Sequence, residues 1–213
     1  MKRVVLFDHD GVLVDTERWY FKAGERALAE VGVTLDETRY LQDMDQGLGT
    51  WAQARAAGVD ERTIARCREV RDAHYREYLR SEEIEIDGVV EALAELAPYA
   101  RMAVVTTAKR ADFELIHRDR RITRYMDVVL CREDYVRAKP DPEPYRKALA
   151  LLGVAPSEAL VVEDSSRGLR SAVAAGVDCA LVDNAFTRPR DVAPAKFRIQ
   201  RLAELKGILL AAT

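Results

Sequence analysis

The chain has 213 residues, 48% hydrophobic and 32% charged, a balance that builds a soluble core of useful size and excludes a disordered chain. Its 33 basic and 36 acidic residues leave a formal charge of -3, so bulk charge argues neither for nor against an anionic partner. No stretch approaches the length and apolarity of a membrane span.

Val4-Val5-Leu6-Phe7 is a short β-branched and aromatic run of the kind that forms a buried strand. Asp8 and Asp10 follow, and side chains two apart along a strand share a side. Both carboxylates are therefore expected at one spot at the strand's C-terminal end, where Gly11 lets the chain turn. After Asp15 the period becomes helical, with Thr16 as N-cap and Trp19, Ala23, Ala27 and Val31 recurring before Gly32. Residues 34–80 contain no proline and no good strand, which predicts a small all-helical unit inserted after the first strand.

From Ile84 onward the pattern alternates. Helices are expected at 88–97, before 117, up to 152, after Ser165 or Ser166, and from 202. Strands are expected at 102–106, 128–130, 159–164, 179–182 and 197–199. Lys139-Pro140-Asp141-Pro142-Glu143-Pro144 reads as a rigid connection into a helix. Strands separated by helices imply an α/β fold with a parallel, doubly wound sheet. The expected division is a core of residues 1–14 and 83–213 around a helical insert of residues 15–82.

Cys67, Cys131 and Cys179 are odd in number and far apart, which fits a reducing compartment and argues against a disulfide frame or a zinc site. The apolar run after Met1-Lys2-Arg3 ends at Asp8, too soon for a signal peptide, so a cytoplasmic protein is expected. The basic run at 118–124 reads as a solvated helix end rather than a nucleic-acid patch. Gly47-Leu48-Gly49-Thr50-Trp51-Ala52 mimics a dinucleotide fingerprint but lacks a preceding apolar strand.

A parallel sheet would bring Asp8, Asp10, Thr106, Thr107, Glu163 and Asp164 to one edge, within reach of Lys139. Carboxylates at that density suit Mg²⁺, and one lysine with hydroxyl and amide donors suits phosphate oxygens. Taken singly, Thr106 is an ordinary strand-end hydroxyl, Lys139 a surface lysine and Glu163-Asp164 a helix-start acid pair. Together they imply phosphoryl transfer.

The ordered set resembles the haloacid dehalogenase superfamily. Asp8-His9-Asp10-Gly11-Val12-Leu13-Val14-Asp15-Thr16-Glu17 is similar to its first motif and Val104-Val105-Thr106-Thr107 to its second. Ala138-Lys139-Pro140-Asp141-Pro142 is similar to the third, and Glu163-Asp164-Ser165-Ser166-Arg167-Gly168 to the fourth. The resemblance spans the chain, is nearest to the branch with sugar phosphatases and β-phosphoglucomutase, and implies a helical cap on a Rossmann-like core. It implies Asp8 as nucleophile, Asp10 as acid and base, and Thr106, Thr107 and Lys139 as phosphate ligands. It also implies Mg²⁺ on Asp8, the Asp10 carbonyl and Asp164, with Glu163 direct or through water. The implied function is a phosphatase of a small phosphorylated metabolite, with a sugar phosphomutase or a non-catalytic metal-binding regulator as alternatives. No nucleic-acid or membrane partner is expected, and the chain should be a monomer or a weak homo-oligomer.

Three departures bear on the substrate. Gln46-Gly47 stands where the mutase has Lys-Gly, Thr50 where it has a phosphate-binding arginine, and Tyr20 where it has a histidine. Tyr20 and Trp51 could stack on a substrate ring, with packing between helices as the plainer reading, and Arg55 could replace the missing cation. His9 lies between the aspartates where the family has an apolar residue, and alternation turns it away from the site.

Overall fold

The computed structural model describes residues 2–187 and 192–211. They form two compact units, one of residues up to Asp15 and from Glu85 onward, the other Thr16–Ile84. In the first, six parallel strands form one sheet: β1 (Val4–Phe7), β2 (Arg101–Val105), β3 (Val128–Leu130), β4 (Ala159–Glu163), β5 (Asp178–Val182) and β6 (Phe197–Ile199). Their order is β3-β2-β1-β4-β5-β6, so the chain winds outward in both directions from β1. Phe7 pairs with Val104 on one side and Val162 on the other. The ends of β1, β2 and β4 therefore lie side by side at the point where winding reverses, which is where such sheets leave a crevice.

Both faces of the sheet are covered, which is why its strands read as continuous apolar runs. On one face Val4, Leu6, Ala103, Val105, Val161 and Cys179 pack with Tyr145, Leu149 and Leu169. Those last three come from α7 (Glu143–Leu152) and α8 (Ser166–Ala174). Alternation sends Val5, Phe7, Met102, Val104, Leu160 and Val162, all buried, to the other face. The remaining helices of this unit are α5 (Val89–Leu96), α6 (Arg110–His117) and α9 (Leu205–Ala211).

The second unit is helical: α1 (Glu17–Ala29), α2 (Glu37–Asp45), α3 (Ala52–Ala56) and α4 (Glu61–Ser81). Phe21, Ala27 and Leu28 of α1 are buried, as are Ile64, Cys67, Arg71, Tyr75 and Leu79 of α4. The α4 positions recur every three or four residues, the stripe of a helix packed on one side. Asp36 and Asp60 cap α2 and α4 by accepting from Arg39 N and Thr63 N. Thr16 holds the N-cap position of α1, yet its side chain makes no capping bond and it is buried. No helix among the described residues is long and apolar enough to cross a membrane.

Candidate active site

Asp8 continues the pairing of β1, its amide donating to Val162 O at 2.8 Å. Strand alternation places Asp8 and Glu163 on the face that carries α7. There Lys139, only 4% exposed, lies between them, with Nζ 2.9 Å from Asp8 Oδ1 and 2.6 Å from Glu163 Oε1. Nζ also donates to Val105 O at 2.8 Å. The loop that delivers Lys139 contains a cis Lys139-Pro140 bond and enters α7 through Pro144 in its first turn. A buried ammonium needs such partners, because an unpaired one would discharge instead.

Glu163 is fully buried and saturated with donors. Tyr145 Oη donates to Oε1 at 2.6 Å, and Ser165 Oγ to Oε2 at 3.1 Å. Burial works against its charge, but Lys139 and the Tyr145 bond outweigh it and hold the carboxyl below its ordinary range. Lys139 is correspondingly raised: burial alone would lower it, and Asp8 and Glu163 reverse that. Asp8 moves the other way, up to about 7, through burial first and then Glu163 and Asp10, with Lys139 opposing.

Asp8, Glu163 and Asp164, all buried, each offer an oxygen within 4.8 Å of the others. Two glycines make the crowding possible. A Cβ on Gly11, whose φ is +80°, would stand 2.0 Å from Asp164 Oδ2, and one on Gly168 would stand 1.9 Å from the Glu163 carboxyl. Three hard oxygen donors with a raised Asp8 between them fit a small divalent cation such as Mg²⁺. Because Glu163 already receives Lys139, Tyr145 and Ser165, Asp8 and Asp164 are the carboxylates better placed for direct ligation.

Asp10 is half-buried beyond β1, and Thr106 Oγ1 donates to its Oδ2 at 3.3 Å. Thr106 is itself buried, its hydroxyl accepting from Ala108 N at 3.0 Å and its carbonyl from Tyr135 Oη at 2.7 Å. Thr107 follows, half-buried, in the turn after β2. The sheet thus gathers Asp8, Asp10, Thr106, Lys139, Glu163 and Asp164, residues up to 156 positions apart. His9 is fully buried and packs against α6, but contrary to the expectation from alternation its Nδ1 edge lies 3.3 Å from Asp10 Oδ2, because the chain turns out of the strand at Gly11.

The helical unit holds Tyr20, Gln46, Gly47, Thr50 and Trp51. Gln46 and Gly47 are exposed at the C-terminal end of α2, whereas Thr50 and Trp51 are buried. Thr50 packs so closely on Gly24 that a Cβ there would lie 2.9 Å from its Cγ2. Arg55 is an exposed partner of Glu61 at 2.5 Å and is no buried cation. That place is taken by Arg71, 5% exposed, whose guanidinium carbon lies 4.3 Å from the Tyr20 ring and 5.5 Å from the Trp51 ring. Its Nε donates to Asp72 at 2.8 Å, while Nη1 is buried with no hydrogen-bond partner.

Sequence reasoning passed over Tyr145, Arg71 and Asn184, whose Nδ2 donates to Gly11 O at 3.1 Å. Arg71 did leave a signal, a charge on the apolar stripe of α4. Tyr145 left none, since a tyrosine on a helix's apolar stripe reads as core.

Residues 5–182 match the family of haloacid dehalogenase-like hydrolases. A phosphorylated carbohydrates phosphatase of Thermotoga maritima is 32% identical over 181 residues, covering 82% of this chain and 82% of that one. The crystal structure of CbbY from Rhodobacter sphaeroides in complex with phosphate is similar at a TM-score of 0.79 and 27% identity, over 96% of each chain. A β-phosphoglucomutase structure from Clostridium difficile shares the fold, at a TM-score of 0.81 and 19% identity over 99% of this chain and 96% of that one. With the family match extending from β1 through β5 and so including β1 and β4, whose ends carry the acidic cluster, the chain belongs to the haloacid dehalogenase-like hydrolases.

Proposed function

We propose that the chain is a Mg²⁺-dependent phosphatase that hydrolyses a small phosphomonoester, a sugar phosphate or similar metabolite, through a phosphorylated Asp8. The observation that carries this reading is Asp8 at the end of β1, 2.9 Å from the buried Lys139 ammonium and within the Asp8, Glu163 and Asp164 cluster.

Asp8, the carbonyl of Asp10, and Asp164 would hold the cation. Bound there, Mg²⁺ supplies the positive charge that lowers repulsion between a carboxylate and a phosphate dianion. An oxygen of Asp8 attacks phosphorus, the bond to the leaving oxygen breaks, and Asp10 gives that oxygen a proton. Asp10 then takes a proton from water as the water oxygen attacks phospho-Asp8, and the bond from phosphorus to Asp8 breaks. Thr106, the Thr107 amide and Lys139 stabilise charge on the transferred oxygens. Glu163, with Tyr145 and Ser165, holds the Lys139 ammonium in place. The helical unit has the part of a cap that selects substrate, and because neither Gln46 nor Thr50 offers a cation for a second phosphate, hydrolysis is favoured over a mutase.

A phosphate-release screen over sugar, nucleotide and small-acid phosphates tests the proposal. Release should require Mg²⁺, stop on chelation, and be abolished in Asp8→Asn. Wild-type turnover in that variant would sink the nucleophile assignment, and an isomerised sugar phosphate without free phosphate would establish a mutase.

A further inference from the structure

Two histidines stand behind the proton carrier. His9 has no exposed surface, and its ring lies 5.0 Å from Phe113 and 5.0 Å from His117, two residues on one face of α6. His9 Nε2 and His117 Nε2 are 2.9 Å apart, a separation two nitrogens hold with one hydrogen between them. On the other edge of the ring, His9 Nδ1 lies 3.3 Å from Asp10 Oδ2, the same oxygen that Thr106 approaches. Neither His9 Nδ1 nor His117 Nδ1 makes a hydrogen bond of standard geometry. The contact with Asp10 is therefore electrostatic, and its sign depends on which His9 nitrogen carries the hydrogen.

A hydrogen on Nδ1 presents the positive end of an N–H dipole to the carboxylate. A bare Nδ1 presents a lone pair, which repels it. With its hydrogen on Nδ1, a neutral His9 is an acceptor at Nε2, so the shared hydrogen must come from His117. His117 suits that part, because burial pushes its pKa down and keeps it neutral, leaving it one hydrogen to place between the two rings. In a histidine the bond made by one nitrogen sets the hydrogen on the other.

We propose that His117 is a positioning residue: by donating Nε2–H to His9 it fixes His9 as the Nδ1–H tautomer, whose N–H edge steadies Asp10 Oδ2 beside Thr106. This rests on the reading of Asp10 as the proton carrier.

Long-range proton–nitrogen correlation spectra of the whole protein assign imidazole hydrogens without reference to turnover. Wild type should show hydrogen on His9 Nδ1 and on His117 Nε2. In His117→Leu, His9 should move its hydrogen to Nε2, and kcat should fall about tenfold with KM unchanged. His117→Gln, whose amide can donate from a similar reach, should restore the His9 tautomer and most of kcat. A wild-type His9 with hydrogen on Nε2 alone, or on both nitrogens, overturns the proposal. So does a His117→Leu enzyme that melts earlier but keeps its kcat, or one changed in KM alone. Asp10→Asn separates the two readings: retained turnover there removes the acid–base role of Asp10, while the tautomers are still decided by the spectra.

Discussion

Lys139 carries the only positive charge placed between Asp8 and Glu163 among the described contacts of those two carboxylates. Removing one member of a buried charge pair leaves the other uncompensated, which costs about 3–5 kcal/mol. Lys139→Met should accordingly lower stability by that amount in urea denaturation and abolish phosphate release. Adding Glu163→Leu to it should recover part of the stability and none of the activity, since the Glu163 charge is then no longer stranded while Asp8 still lacks its cation. Asp8, Asp10 and Lys139 could be named from the chain because each follows a strand or opens a helix in a recognisable order. The allegiance of Glu163 could not. Its oxygens belong to Lys139, Tyr145 and Ser165 because Glu163 shares a sheet face with Asp8 and α7, a matter of packing.

At the scale of elements the apolar periodicities did most of the work. The runs at 4–7 and 128–130 are the strands β1 and β3, and Gly153 and Ser165 stand at the helix ends where they were expected. Ser165 caps α8 through Gly168 N, whereas Thr16 occupies its N-cap position without a capping bond. Helix α6 shows what periodicity leaves out. Its last residue, His117, is 7% exposed, and its pKa is pushed down to about 3 from 6.5. Between those values the unfolded chain binds a proton that the folded one does not, so this residue's share of stability is complete above pH 6.5 and lost as pH falls toward 3. Stability should decline with a slope of up to ~1.4 kcal/mol per pH unit from this residue. Thermal melts of His117→Gln across that window should show a shallower decline than wild type.

The whole molecule divides into an α/β unit that carries the acidic cluster and a helical unit that carries Arg71. Given a selecting role for the helical unit, Arg71 is its one buried cation with an unsatisfied nitrogen among the described residues. Arg71→Met should raise KM for an anionic substrate by about tenfold and leave kcat within a small factor, as expected when binding is lost equally in ground and transition states. Steady-state kinetics on the best substrate of the screen would decide it, and a loss confined to kcat would contradict it. The sequence by itself determined the elements and the parallel α/β class, because these follow from local periodicity, and it placed polar residues at the strand ends that the sheet brings together. Only the tertiary structure decided that Lys139 lies between Asp8 and Glu163, that Arg71 rather than Arg55 is the buried cation, and that His9 meets His117. Those outcomes depend on distances between residues remote in the chain, which strand order and face set and which no local pattern encodes.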